Sequence, residues 1–182
     1  MKSEIRNEME LVFDAISSNE SLARVTAAAF ATQLNPTMEE LADVKTAVSE
    51  AVTNAIIHGY GNVRGYARHG EVRLGDFNQD MEKDEGQKPK AIGKVRMHCK
   101  LENGVLKISV EDHGKGIEDV QKAMEPLFTT RPDLERSGMG FAFMEAFMDD
   151  LEVESAVGVG TIVRMQKKMT TGSWIMTEKA NS

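Results

Sequence analysis

The sequence has one cysteine, Cys99, four prolines, and aromatic residues at only 5% of its 182 positions. A single cysteine excludes an intramolecular disulfide, and no CxxC pair or Cys/His cluster with zinc spacing occurs. Basic charge is not in excess: Lys and Arg number 22 against 29 Asp and Glu, a net charge of −7. No global positive field draws such a chain onto nucleic acid or an acidic membrane, so direct partners of either kind are not expected. No run of about 18 apolar residues occurs. The opening MKSEIRNEMELVF carries acids where a signal peptide would carry its apolar core. A cytoplasmic, reducing location is the expectation. There is also no GxxxxGK[ST], which excludes a P-loop as a nucleotide site.

What is present is enough apolar sequence, 41%, for one buried core, while the length is short for two domains. We expect a single domain over residues 1–168 and a loose tail over 169–182. Alternation of Met9, Leu11 and Phe13 with Glu10, Val12 and Asp14 predicts a first strand from Glu8 to Ile16. An Ala-rich helix from Ser21 to Leu34 follows, with Asn19 and Ser21 as candidate caps and Asn35-Pro36 as its stop. Thr37-Met38-Glu39-Glu40 reads as a capping box opening a second helix, in which Leu41, Val44, Val48, Val52 and Ala55 recur at helical spacing as far as His58-Gly59.

From Gly61 to Gly93 the periodic apolar signal disappears, and MEKDEGQKPK reads as a solvated inserted loop, with a short strand near Val72. Lys94–Leu101 and Val105–Glu111 then alternate around Asn103-Gly104, a hairpin signal. A short helical piece runs from Glu118 to Met124, and Phe141, Met144, Phe147 and Met148 mark a third helix. Strands near Leu151–Val157 and Thr161–Lys168 close the chain. The order predicts an α+β fold, a two-layer α/β sandwich with helices on one face of a mixed sheet.

Three groups of residues carry candidate chemistry. Glu50, Asn54 and His58 stand at i, i+4 and i+8 of the second helix and share one stripe. Such a stripe is often no more than a solvated face, but a carboxylate beside a carboxamide also serves phosphoryl transfer, the first accepting a proton and the second helping to hold Mg²⁺. Asp112-His113-Gly114-Lys115-Gly116 directly follows an apolar strand. It is either a plain β-turn or a strand-end carboxylate able to accept from an exocyclic amine, with glycines that let the backbone approach a base. Ser137-Gly138-Met139-Gly140 precedes the third helix, where small residues bound a helix or expose N–H groups to phosphate.

In their order, Glu50/Asn54, Asp112/Gly114/Gly116, Gly138/Gly140 and Gly158-Val159-Gly160-Thr161 resemble the boxes of the GHKL (Bergerat) ATPase/kinase superfamily. In whole phrases, NESLARVTAAAFATQLNPTMEELADVKTAVSEAVTNAIIHGY, PLFTTRPDLERSGMGF and VGVGT resemble the anti-sigma F factors of spore-forming bacteria. The resemblance covers about Asn7 to Lys168 apart from the insertion, which is roughly 25 residues longer than is usual there.

The resemblance implies a protein-serine/threonine kinase that uses ATP, is left holding ADP, and requires Mg²⁺. Glu50 would be its base and Asn54 its Mg²⁺ ligand. Asp112 would read adenine with support from Thr161, Gly114 and Gly116 would admit the nucleotide, and Gly138, Met139 and Gly140 would form the phosphate turn. Thr129, Thr130, Arg131, Arg136 and Ser137 would belong to a lid over ATP, with Arg136 on the γ-phosphate. His58 is a site residue or a satisfied helix-end histidine. Arg24 matches a family arginine that contacts protein partners. Those partners would be a sigma factor of the sigma F type and an anti-anti-sigma protein phosphorylated on serine, with the chain acting as a homodimer. Rival readings are a related kinase serving a stress-response sigma factor, and a module that binds nucleotide without turnover.

Overall fold

A computed structural model describes residues 5–60, 92–125 and 139–170. The insertion up to residue 91, the lid residues Thr129, Thr130, Arg131, Arg136 and Ser137, Gly138 of the phosphate turn, and the tail from 171 lie outside the described residues.

Strand β1 (Asn7–Asp14) buries Phe13 and half-buries Met9 and Leu11, the alternating set expected. It ends two residues earlier than predicted, because the Ala15 N–H donates to Gly93 O at 2.8 Å and Ile16 N–H turns back to Asp14 O. Helix α1 (Ser18–Ala31) accordingly begins three residues before Ser21, with Ser17 rather than Asn19 or Ser21 at its cap position. Asn19 spends its side-chain amide on Asp14 O at 2.9 Å. A 3₁₀ turn, Thr32–Leu34, follows, and Asn35 at φ 52° ends it.

Helix α2 (Met38–Asn54) starts at the predicted capping box. Glu40 N–H donates to Thr37 Oγ1 at 3.1 Å, and Thr37 N–H donates to Glu40 Oε2 at 2.6 Å. The other Glu40 oxygen accepts both the N–H and the hydroxyl of Thr170, at 2.7 and 2.6 Å. Burial of Glu40 acts to raise its pKa, but hydrogen bonds from Thr170 and Thr37 outweigh it and hold the carboxyl below its ordinary range. With Met169 buried as well, the folded chain runs two residues past the expected boundary at 168. The alanines Ala23, Ala27 and Ala31 of α1 are fully buried beside Val44, Ala47, Val48 and Ala51 of α2 in one apolar core. Small side chains allow two helices to approach closely.

After α2 the helix widens to a π-helical segment, Ala55–Gly59. Strands β2 (Lys94–Glu102) and β3 (Val105–Asp112) form the expected hairpin. Its turn places Asn103 at φ 55° and Gly104 at φ 76°, the two positive angles that an Asn-Gly turn supplies. Short α3 (Val120–Met124) and α4 (Gly140–Phe147) precede β4 (Asp150–Ala156) and β5 (Gly160–Lys168).

The sheet order is β1-β2-β3-β5-β4, and every described pairing is antiparallel. The α+β class stands, but the described sheet is antiparallel rather than mixed. The closing hairpin inserts its second strand, β5, against β3, so β4, which runs parallel to β3, never neighbours it. Lys167 of β5 joins the layers: its ammonium donates to Phe147 O at the end of α4 (2.7 Å) and pairs with Asp43 of α2 at 2.9 Å. Cys99 lies in the core of the sheet, where desolvation pushes its thiol up to about 12, so it stays an un-ionised apolar filler. Among the described residues no helix is long and apolar enough to cross a membrane.

Candidate functional site

A cavity of about 950 Å³ opens between the end of α2, the end of β3 and the start of α4. Asn54, His58, Asp112, Gly116, Gly140 and Thr161 all line it, so residues from all four sequence boxes meet at one place.

Asp112 ends β3 opposite Thr161 of β5 in the antiparallel register, and both are buried. The Asp112 carboxylate accepts Gly114 N–H at 2.8 Å. Desolvation nonetheless dominates and raises its pKa to about 6, against opposing hydrogen bonds from the backbone of Gly114 and Thr161. A carboxylate kept in an apolar wall with unused acceptor capacity suits a ligand that brings its own N–H donor.

The loop after Asp112 is sewn to two other elements. Lys115 N–H donates to Gly59 O (2.8 Å), and Gly158 N–H donates to Lys115 O (2.8 Å). A β-carbon on Gly114 would stand 2.1 Å from Gly59 O, so the approach of the loop to the end of α2 requires glycine there. Gly116, at φ 73°, meets Ala156 O just as closely. The missing side chains of Gly114 and Gly116 let three backbones converge behind the Asp112 carboxylate.

At the other end of the cavity, α4 starts directly beside α2. A β-carbon on Gly140 would lie 3.1 Å from Glu50 Oε2 and 3.3 Å from Asn54 Nδ2. The acid, the amide and the first turn of α4 therefore share one spot. Met139 occupies the N-cap position of α4 without a side-chain cap, and its carbonyl accepts Phe143 N–H at 2.8 Å. Gly140→Ala is expected to leave thermal stability unchanged or slightly raised, since alanine is the better helix former. Glu50 and Asn54 would have to shift by a few tenths of an ångström, and a phosphoryl-transfer assay would then read a loss of about tenfold or more.

Arg24 is not part of this assembly. It lies on α1, paired with Glu20 at 3.3 Å and bonded to Ser21. It is half-exposed and flanked by exposed Leu22 and Val25.

Three residues that sequence reasoning did not single out support the cavity. Gly59 packs its Cα against Asp112, where a β-carbon would fall 2.6 Å from Oδ1. The Tyr60 hydroxyl donates to Lys94 O (2.5 Å) and accepts His113 N–H (2.8 Å), tying α2 to both strands of the hairpin. Ser155 links β4 to the loop, accepting Ile117 N–H at 2.8 Å.

Comparison with known proteins agrees with this geometry. Residues 15–167 match the family model of the histidine kinase-like ATPase domain. A protein named "Anti-sigma F factor" from Clostridium acetobutylicum is 51% identical over 164 residues, spanning 90% of this chain and 95% of that one. Another of that name, from Geobacillus sp. (strain WCH70), is 48% identical over 166 residues, 91% of this chain and 95% of its own. This chain belongs to the anti-sigma F factor family. The fold of the family is also seen in a solved structure of the RsbU and RsbW domains of Rv1364c from Mycobacterium tuberculosis. That structure superposes with a TM-score of 0.54 over 90% of this chain and 32% of that one, at 16% identity. At so low an identity the likeness is one of fold. The family match spans Asn54, Asp112, Gly140 and Thr161, which line the cavity, and Glu50, whose carboxylate lies beside Gly140.

Proposed function

We propose that the chain is a cytoplasmic anti-sigma factor and an ATP-dependent protein-serine kinase, working as a homodimer of single-domain subunits. It binds a sigma factor of the sigma F type and phosphorylates the anti-anti-sigma protein that opposes it. The observation that carries this reading is the meeting of Glu50 and Asn54 with the N-terminus of α4, at the edge of the cavity that Asp112 lines.

Adenine would enter at the Asp112 end, its exocyclic amine donating to the carboxylate. The phosphates would extend towards Gly140, where the first-turn N–H groups of a helix favour anions. Asn54 fits a Mg²⁺ role, because that ion takes most of its ligands from phosphate and water and needs only one or two protein oxygens. When bound there, Mg²⁺ would supply neutralisation of the phosphate charge. Glu50 accepts the proton of the substrate serine as its oxygen bonds to the γ-phosphorus. The bond from that phosphorus to the β–γ bridging oxygen breaks, and ADP is the leaving group. Thr129, Thr130, Arg136, Ser137, Gly138 and Met139 complete the phosphate side in this reading, and Arg24 contacts the protein partners.

A pure binding module would have no use for Glu50 beside Asn54, and the relatives at about half identity carry the sigma F name rather than that of a stress-response factor. The test is transfer of label from γ-labelled ATP with Mg²⁺ to the anti-anti-sigma protein. Phosphoserine is the expected product, and nucleotide binding without transfer would leave only the binding module.

A further inference from the structure

Ser155 makes more hydrogen bonds than its place on an edge strand requires. Its Oγ accepts Ile117 N–H at 2.8 Å, donates to Gly160 O at 2.9 Å, and lies 2.9 Å from Thr161 Oγ1. A hydroxyl has one proton. The Gly160 carbonyl can only accept, so the arrangement that satisfies all three contacts gives the Ser155 proton to Gly160 and takes the proton of the Ser155–Thr161 bond from Thr161. The Thr161 hydroxyl is thereby oriented: its proton points away to Ser155, and its lone pairs remain for the cavity that Thr161 lines.

Across the strand pair, Asp112 presents a carboxylate to the same cavity. The base end of the site therefore offers two acceptors and no side-chain donor from this pair. From this geometry we infer that Ser155 is a positioning residue for base selection. By fixing Thr161 as an acceptor, it makes the site favour a purine with an amine at C6 over one with a carbonyl there. The inference rests on the proposed nucleotide site and deepens it. A carbonyl at C6 has no proton for either acceptor and the N1–H beside it can serve only one of them, so the carbonyl and the other acceptor stay unpaired, a mismatch that buried polar sites reject strongly. Without Ser155, Thr161 can rotate and donate to such a carbonyl, and the penalty shrinks.

The test is calorimetric binding of ADP and inosine diphosphate to the full chain, freed of nucleotide. The readout is the ratio of the two affinities. The wild type is expected to favour ADP, Ser155→Ala to narrow that ratio by about tenfold, and Ser155→Thr to keep it, since threonine restores the hydroxyl. Loss of the Ile117 N–H partner weakens both ligands alike and leaves the ratio unmoved, which separates positioning from general support of the loop. If Ser155→Ala does not fold, Ser155→Val against Ser155→Thr repeats the comparison at constant shape. A wild-type ratio in Ser155→Ala or Ser155→Val overturns the inference while the adenine site stands. A wild type without preference for ADP overturns both.

Discussion

Glu50→Ala is expected to reduce phosphoryl transfer to the anti-anti-sigma serine by about 10²- to 10⁴-fold, the range that a positioned general base contributes. Affinity for ADP should stay close to that of the wild type. The asymmetry follows from where Glu50 sits. It approaches the first residue of α4, where the phosphates are proposed to end, whereas the base end is built from Asp112, Thr161 and the 114–117 loop on other elements. The carboxylate is half-buried on an intact helix, so its removal opens no core cavity and melting temperature should change little. Glu50→Gln is the stricter version, since it keeps shape and loses only basicity. A single-turnover transfer assay beside a nucleotide titration distinguishes the outcomes. Retained transfer in Glu50→Gln would move the base to another residue. Joint loss of transfer and binding would mean that Glu50 holds the site together rather than acting in the chemistry.

Most of the fold was readable because its signals are local. The capping box of α2 forms with both hydrogen bonds that Thr37 and Glu40 imply, and Asn103-Gly104 turns the hairpin as its two positive φ angles demand. The start of α1 differs because Asn19, a good cap by type, lies inside the helix and donates its side-chain amide to Asp14 O, a contact that depends on where β1 ends. The direction of the sheet was misjudged for a similar reason: which strand of the closing hairpin docks against β3 is decided by pairing across the fold. Within the site, Glu50, Asn54 and Asp112 were legible from residue type and order. Gly59, Tyr60 and Ser155 were not, since each acts only through contacts with residues distant in sequence. Gly59 could be read as a helix end, but nothing local reveals that its missing side chain makes room for Asp112.

Asp112→Asn is expected to stabilise the nucleotide-free protein and to weaken nucleotide binding by tenfold or more, two effects of opposite sign from one substitution. Burial raises the Asp112 pKa from 3.8 to about 6. A carboxyl whose folded pKa is raised holds its proton more firmly in the native state than in the unfolded one. Its contribution to stability is therefore greatest below pH 4, declines as pH rises towards 6, and is lowest above that, where the buried charge costs on the order of 3 kcal/mol. Asparagine carries no charge to desolvate and can still accept Gly114 N–H through its carbonyl oxygen. Without nucleotide, the variant should melt at a higher temperature than the wild type at pH 8, and the difference should shrink towards pH 4. Binding runs the other way. An exocyclic amine stabilises the ionised carboxylate, so affinity of the wild type for ADP should fall as pH drops through about 6, whereas Asp112→Asn should lack that inflection and bind weakly throughout. Calorimetric titrations from pH 5 to 8, with thermal melts of the free proteins, read both limbs. An unchanged pH profile in the variant would assign the inflection to another group. A variant less stable than the wild type at pH 8 would mean that the hydrogen bonds from Gly114 and Thr161 outweigh the cost of burial.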